Sequence, residues 1–175
     1  MLLELLISMV VLTIGLGGLL VLLMASMYTN SSARTDTTST MLAEHVIEQI
    51  SSQQANSITP LAVSDCAGGS WAVQTVGAAV GAGNSGTNGG NGATLTANGT
   101  IDWTESYSSV PGGYAMQYIG CGANGSQAVY DVRWNVVSMG SYSRMIFISA
   151  RPTNSGAVGG LRYIVPVNLR TIGGM

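Results

Sequence analysis

Met1-Leu2-Leu3-Glu4-Leu5-Leu6-Ile7-Ser8-Met9-Val10-Val11-Leu12-Thr13-Ile14-Gly15-Leu16-Gly17-Gly18-Leu19-Leu20-Val21-Leu22-Leu23-Met24-Ala25-Ser26-Met27 is apolar or small at every position except Glu4. A bilayer is crossed by about 20 such residues, so the stretch is long enough to span one. A carboxylate in lipid costs at least about 2.5 kcal/mol and usually marks a partner charge. The run lacks the basic leading segment of a secretory signal peptide and exceeds its usual apolar length. A plain membrane anchor accounts for the length but not for Glu4.

Past Met27 the composition changes. Residues 28–40 are polar, with Ser31, Ser32, Thr35, Thr37, Thr38, Ser39 and Thr40, and β-branched threonine is a mediocre helix former. Ala43, Val46, Ile47 and Ile50 then recur at i, i+3, i+4 and i+7, one apolar face of a helix suited to lying on a sheet. Glu44, His45 and Glu48 fall on the outer side. The spacing predicts one helix over 2–53, ending before the Ser57-to-Pro60 region. Residues 1–27 would protrude, 28–53 would dock, and 54–175 would form a β-rich globular head.

Within the head, Ala128, Tyr130, Val132, Trp134 and Val136 alternate with Val129, Asp131, Arg133, Asn135 and Val137, a strand with one face for a core. Met145 to Ala150 reads as a second strand and Leu161 to Arg170 as a third. Pro166 cannot donate to a ladder, which places that third strand at an edge or a bulge. Met116 to Ile119 adds a fourth. The expected architecture is α+β: a long N-terminal helix packed on an antiparallel sheet. Residues 65–100 read as an exposed Gly/Asn-rich loop. Trp71, Trp103 and Trp134 read as core or loop anchors, and Asp131 and Arg133 as charges on one strand face that would pair with neighbours at the surface.

Charged residues make up 8% of the chain, far below the ordinary share of about 25%. All six cations are arginine and the net charge is -2, so no basic footprint points to nucleic acid. A single histidine and no nucleophile–base pattern leave catalysis without support, and no phosphate loop, haem motif or metal-ligand spacing is present. The reading is therefore of a protein that is not an enzyme and needs no cofactor or metal. Cys66 and Cys121 fit one disulfide in an oxidising compartment, or two separate buried thiols. The disulfide would close a loop of about 55 residues, worth roughly 4 kcal/mol. Three Asn-X-Ser/Thr tripeptides begin at Asn30, Asn98 and Asn124.

Leu2-Leu3-Glu4-Leu5-Leu6-Ile7, followed by Val10-Val11-Leu12-Thr13-Ile14-Gly15-Leu16-Gly17-Gly18, resembles the N-terminus of type IV pilins and pseudopilins. The likeness covers residues 1–53 and is specific over about the first 20; Ile14-Gly15-Leu16-Gly17 is similar to the minor-pilin subgroup. It implies a subunit stored in the inner membrane, trimmed by a prepilin peptidase, methylated at its new N-terminus, and built by pilus assembly machinery into an extracellular helical filament of identical subunits on a prokaryotic cell. The alternative it implies is a minor pilin or pseudopilin that initiates assembly or presents a binding head at the tip, with cell adhesion among the roles of such filaments. Family members carry the glutamate at the fifth mature position; here it is fourth. The amine that neutralises Glu4 is then that of Met1 or of a residue before it. The glycines Gly15, Gly17 and Gly18 each cost about 0.8–1.0 kcal/mol against alanine in a helix. They serve either as close-packing positions or as the place where the helix unwinds on assembly.

Overall fold

The computed structural model describes residues 2–84, 89–122, 127–153 and 165–174. Contacts divide the chain into two compact units, residues 1–37 and 38–175. Helix α1 (Leu2–Ser51) contributes to both. In the first unit every described side chain from Leu3 to Ser31 is exposed. The three glycines sit in regular helix, and a Cβ at Gly15, Gly17 or Gly18 would meet nothing within 4 Å.

In the second unit the helix becomes half of a core. Of the expected face, Ala43, Val46 and Ile50 are buried and Ile47 is half-buried, and Leu42, which the pattern did not include, is buried beside them. Glu44, His45 and Glu48 are exposed. Among the described residues eight strands follow: β1 (Leu61–Ser64), β2 (Ser70–Val73), β3 (Ala78–Ala79), β4 (Asn91–Gly92), β5 (Ala115–Cys121), β6 (Gln127–Ser138), β7 (Arg144–Pro152) and β8 (Val167–Gly173). β1 and β2 form a separate antiparallel hairpin. The other six form one sheet built around β6.

Along one edge of β6 runs β7, antiparallel from Tyr130–Pro152 to Ser138–Arg144. Three short partners share the opposite edge. β5 pairs with Gln127–Arg133, β4 with Asn135 and Val136, and β3 with Val137 and Ser138. β3 runs parallel to β6, so the sheet is mixed and not the antiparallel meander expected. β5 to β8 do form an antiparallel set, and β8 closes the path as an edge strand just after Pro166. The strand expected over 161–170 begins at Val167 among the described residues; 161–164 lie outside them.

The expected one-sided core is corrected. From Tyr130 to Val137 every residue of β6 is buried, on both faces. Tyr130, Val132, Trp134 and Val136 share a face with Ile146, Ile148 and Ala150 of β7, as their paired register requires. Asp131, Arg133, Asn135 and Val137 point the other way and are covered by the 93–110 segment. Two of its bonds show this: Asn135 Nδ2 donates to Ala93 O at 2.9 Å and Arg133 Nη1 to Glu105 O at 2.7 Å.

The Gly/Asn-rich region is accordingly not one exposed loop. Gly92, Ala93 and Leu95 are buried. At Gly92, φ is 121° and a Cβ would collide with Trp134 O, so only glycine lets this segment lie against β6. Composition reported the glycine; the purpose of the glycine is tertiary.

A candidate assembly site on the apolar helix

Glu4 is the only charged residue between Leu3 and Ser31, and it lies in the first turn of α1. There the N-terminal end of the helix dipole favours a negative charge. From Leu3 to Ala25 the other hydrogen-bonding side chains are Ser8 and Thr13. Both hydroxyls fold back onto the helix. Ser8 Oγ donates to Glu4 O at 2.8 Å, and Thr13 Oγ1 to Val10 O at 2.8 Å and Met9 O at 3.1 Å. Such back-bonding hides a hydroxyl from an apolar medium. It leaves the carboxylate of Glu4 as the one polar side chain of this stretch with no partner among the described residues. The role of Ser8 and Thr13 escaped the sequence reading, although a hydroxyl inside an apolar helix is itself the signal.

Met1, the other residue expected at this site, lies outside the described residues. The helix is long and apolar enough to cross a membrane. Its apolar side chains are strongly exposed, among them Leu3, Leu5, Ile14 and Met24, each about 70% or more. Burying one such side chain is worth about 1.5–3 kcal/mol, so the stretch as a whole is strongly driven to find cover.

The head carries a different kind of polar chemistry. Cys66 and Cys121 are joined, with Cα atoms 5.9 Å apart, which ties the segment after β1 to the end of β5. Next to the disulfide, Asp65 accepts from Gly69 N at 2.6 Å, Ala67 N at 3.0 Å and Trp71 Nε1 at 3.3 Å. Burial works to raise the Asp65 pKa, but the bonds from Gly69, Trp71 and Ala67 prevail and hold it below the ordinary value of 3.8. Trp71 thereby anchors this loop, Trp134 Nε1 donates to Gln74 O at 3.0 Å, and Trp103 Nε1 donates to Ser149 Oγ at 3.0 Å.

Asp131 and Arg133 are not a surface pair. Both are 2–3% exposed, and Arg133 Nη2 reaches Asp131 Oδ2 at 2.8 Å. The guanidinium also lies 4.6 Å from the Trp103 ring, and that of Arg151 lies 4.1 Å from the same ring. Alternation alone could not reveal this, because a charged residue on a strand reads as solvent-facing until a second layer covers it. A hollow of about 210 Å³ on the same side of the sheet is bordered by Leu95, Val137, Met145 and Phe147 among others, with no charged group among the described residues that line it. Among the described residues no three His, Cys, Asp or Glu side chains gather in a way that could hold a metal ion.

No protein-family model matches the chain, and neither a curated protein nor a solved structure matches it.

Proposed function

We propose that this chain is a structural subunit of an extracellular type IV pilus-like filament, with a pilin fold, and that it is not an enzyme. The observation that carries the reading is Glu4: one carboxylate in the first turn of α1, in a stretch from Leu3 to Ala25 that is exposed throughout, otherwise apolar, and whose two hydroxyls are internally bonded. A membrane anchor has no use for that charge. In a bundle of such helices it meets the α-amine of its own or a staggered neighbouring subunit. A dry ion pair of this kind is tolerated where a lone charge is heavily penalised, and it sets register more than it adds stability.

The inner membrane would hold the helix before assembly, and lateral packing of helices would then replace lipid. A disulfide-tied head with few charges suits the outside of such a polymer. The likeness of Ile14 to Gly17 to minor pilins supports a second reading, in which a few copies start the filament or cap its tip.

Cryo-electron microscopy of sheared surface filaments, with mass spectrometry of the N-terminal residue, tests both. One dominant chain with a methylated amine within bonding distance of Glu4 is the expected result. A few copies in a filament of another chain would favour the second reading. A chain that stays monomeric in the membrane, in cells that make no filament from it, would sink both.

A further inference from the structure

The head commits most of its charge internally. Every carboxylate side chain of the sequence lies among the described residues. From Thr38 onward, Asp131 is paired with Arg133, and Asp65 and Asp102 accept from their own loops. Glu105 Oε2 accepts from Thr94 N at 2.9 Å. Of the cations, Arg144 is buried and donates to Ile50 O, Gln53 O and Thr75 O, which caps the end of α1. Arg151 lies on the Trp103 ring, and Arg162 is outside the described residues. Glu44 and Glu48 of one sign and Arg170 of the other are left over. All three are exposed, and among the described residues their side chains make no ion pair or hydrogen bond.

The two signs sit on opposite sides of the sheet. Arg144 alternates in phase with Ile146 and Ile148, so its grip on Ile50 O places the docked half of α1 on the Trp134 face. Met41, Glu44, His45 and Glu48 form the outer stripe of that half, turned away from the sheet, and Met41 is 64% exposed. Arg170 belongs to the other face: its partner across the β7–β8 ladder is Phe147, which is itself paired with Asn135. Beside it on that face, Met145 is paired with Ile172, which is 65% exposed. The 93–110 segment covers β6 there but stops short of β8. It leaves the hollow at Leu95, Met145 and Phe147 open to solvent past the exposed side chains of Val80 and Met139. Met145 also borders a second hollow, lined by Arg170 and Ile172. One face thus offers a cation beside an apolar hollow, and the other a carboxylate beside an exposed methionine.

We propose that the Arg170 face of the head docks a second copy of this chain, which lays the outer stripe of its α1 across it. Met41 of one copy enters the hollow at Met145 and Phe147 of the other, and Glu44 pairs with Arg170. The spacings agree. Glu44 is one turn from Met41, about 5–6 Å between Cβ atoms, and Arg170 is about 4.5–5.5 Å from Phe147 as its cross-strand partner. Methionine is unbranched and fills irregular hollows well. The apolar contact supplies affinity, and the charge pair selects orientation and register. Because stripe and hollow lie on opposite faces of one sheet, two copies cannot satisfy both contacts around a two-fold axis. The contact is head-to-tail, and each copy added presents the unused surface to the next. It names the neighbour of the head in the filament proposed above and rests on that reading for its setting in the cell.

The test uses the full chain in detergent micelles, where detergent covers the apolar stretch of α1 and leaves association to the heads. Sedimentation of the wild type should show concentration-dependent self-association. Glu44→Arg and Arg170→Glu should each weaken it about tenfold or more by setting like charges together. An equal mixture of the two variants should regain it, because each then meets the opposite charge. Met41→Ser should weaken it with no change of charge. With p-benzoylphenylalanine in place of Met41, irradiation should join that position to β7 of another copy at Met145 to Phe147. A wild type that stays monomeric at every concentration, charge reversals without effect, or a mixture no better than its components would overturn the contact. A photo-crosslink confined to its own chain would overturn it too, since the hollow would then be filled from within. Filaments whose heads meet through other residues would overturn this contact and leave the filament. Heads that associate in this way, in a chain that builds no filament in cells, would uphold the contact and sink the filament.

Discussion

Two stretches of one helix both carry apolar side chains and end in opposite states. Between Leu3 and Ser31 every side chain is exposed, whereas Leu42, Ala43, Val46 and Ile50 are buried. The second stretch shows the ordinary amphipathic rule: a stripe meets a sheet, and the polar residues between stay wet. The first has no polar face to turn outward. A helix apolar all round is made for surroundings apolar all round, lipid or its own copies. The head, by contrast, buries even its ions: Asp131 is paired with Arg133, and Arg144 is held by the carbonyls of Ile50, Gln53 and Thr75.

The contrast can be broken most sharply at Asp131. In the head a charge is tolerated because it is paired, so Asp131→Ala should strand Arg133 in a dry layer and cost about 3–5 kcal/mol. Its bond to Glu105 O and its contact with Trp103 would soften this toward the lower end. Replacing Asp131 and Arg133 together by Leu and Met should recover most of the loss, as measured by urea unfolding in micelles. A double variant no better than Asp131→Ala would mean that the pair contributes shape and not merely mutual neutralisation.

A second comparison stays within the helix. Ile50→Ala opens a cavity under the sheet and should cost about 2–5 kcal/mol, whereas Ile14→Ala should move the unfolding of the head by less than about 0.5 kcal/mol. Equal effects would erase the division between the two units.

The docked stretch was legible because its signal is local: four residues at 3.6 spacing define a face wherever they occur. β5, β6, β7 and the long helix were legible for the same reason. The second covered face of the sheet was not. Asn91, Gly92 and Ala93 carry no strand pattern, and they are held against β6 by a glycine conformation whose need arises only once Trp134 O is beside it. Arg144 was equally opaque. In the sequence it flanks an apolar run as any solubilising cation would; only the meeting of β7 with a helix end 91–94 residues earlier makes it a cap. Glu4 stands out in the sequence because it violates its local context, whereas the back-bonding of Ser8 and Thr13 appears only in the structure.

A smaller effect concerns acid. Asp65 is held low by the bonds described above. Asp102 is held low by Thr104, through both its hydroxyl and its backbone N–H, with Arg133 assisting. The folded chain therefore binds fewer protons at these sites than the unfolded chain as pH falls below 3.8, and stability declines over that window. Above it, both contributions are fully present. Asp65→Asn should flatten the loss between pH 5 and pH 3, measured by thermal unfolding, while starting from a lower stability at pH 5. An unchanged slope would show that Asp65 is not held low by its loop.

The smallest effect on the fold is expected at Glu4. Glu4→Ala removes a side chain with no partner among the described residues, so head unfolding should shift by less than about 0.5 kcal/mol. Insertion into the membrane should improve, since a carboxylate in lipid costs at least about 2.5 kcal/mol. If Glu4 serves only an anchor, the variant is simply a better anchor and surface display is undiminished. If Glu4 meets an amine on assembly, the same variant strands that amine in the spine, and the yield of sheared filaments should collapse while the membrane pool rises. Glu4→Gln separates charge from shape, because it keeps the length and the hydrogen-bonding end but cannot neutralise a cation. Filaments restored by glutamine would mean that the amine is held by a hydrogen bond and not by charge. Filaments undiminished in both variants would leave the apolar helix as a membrane anchor and nothing more.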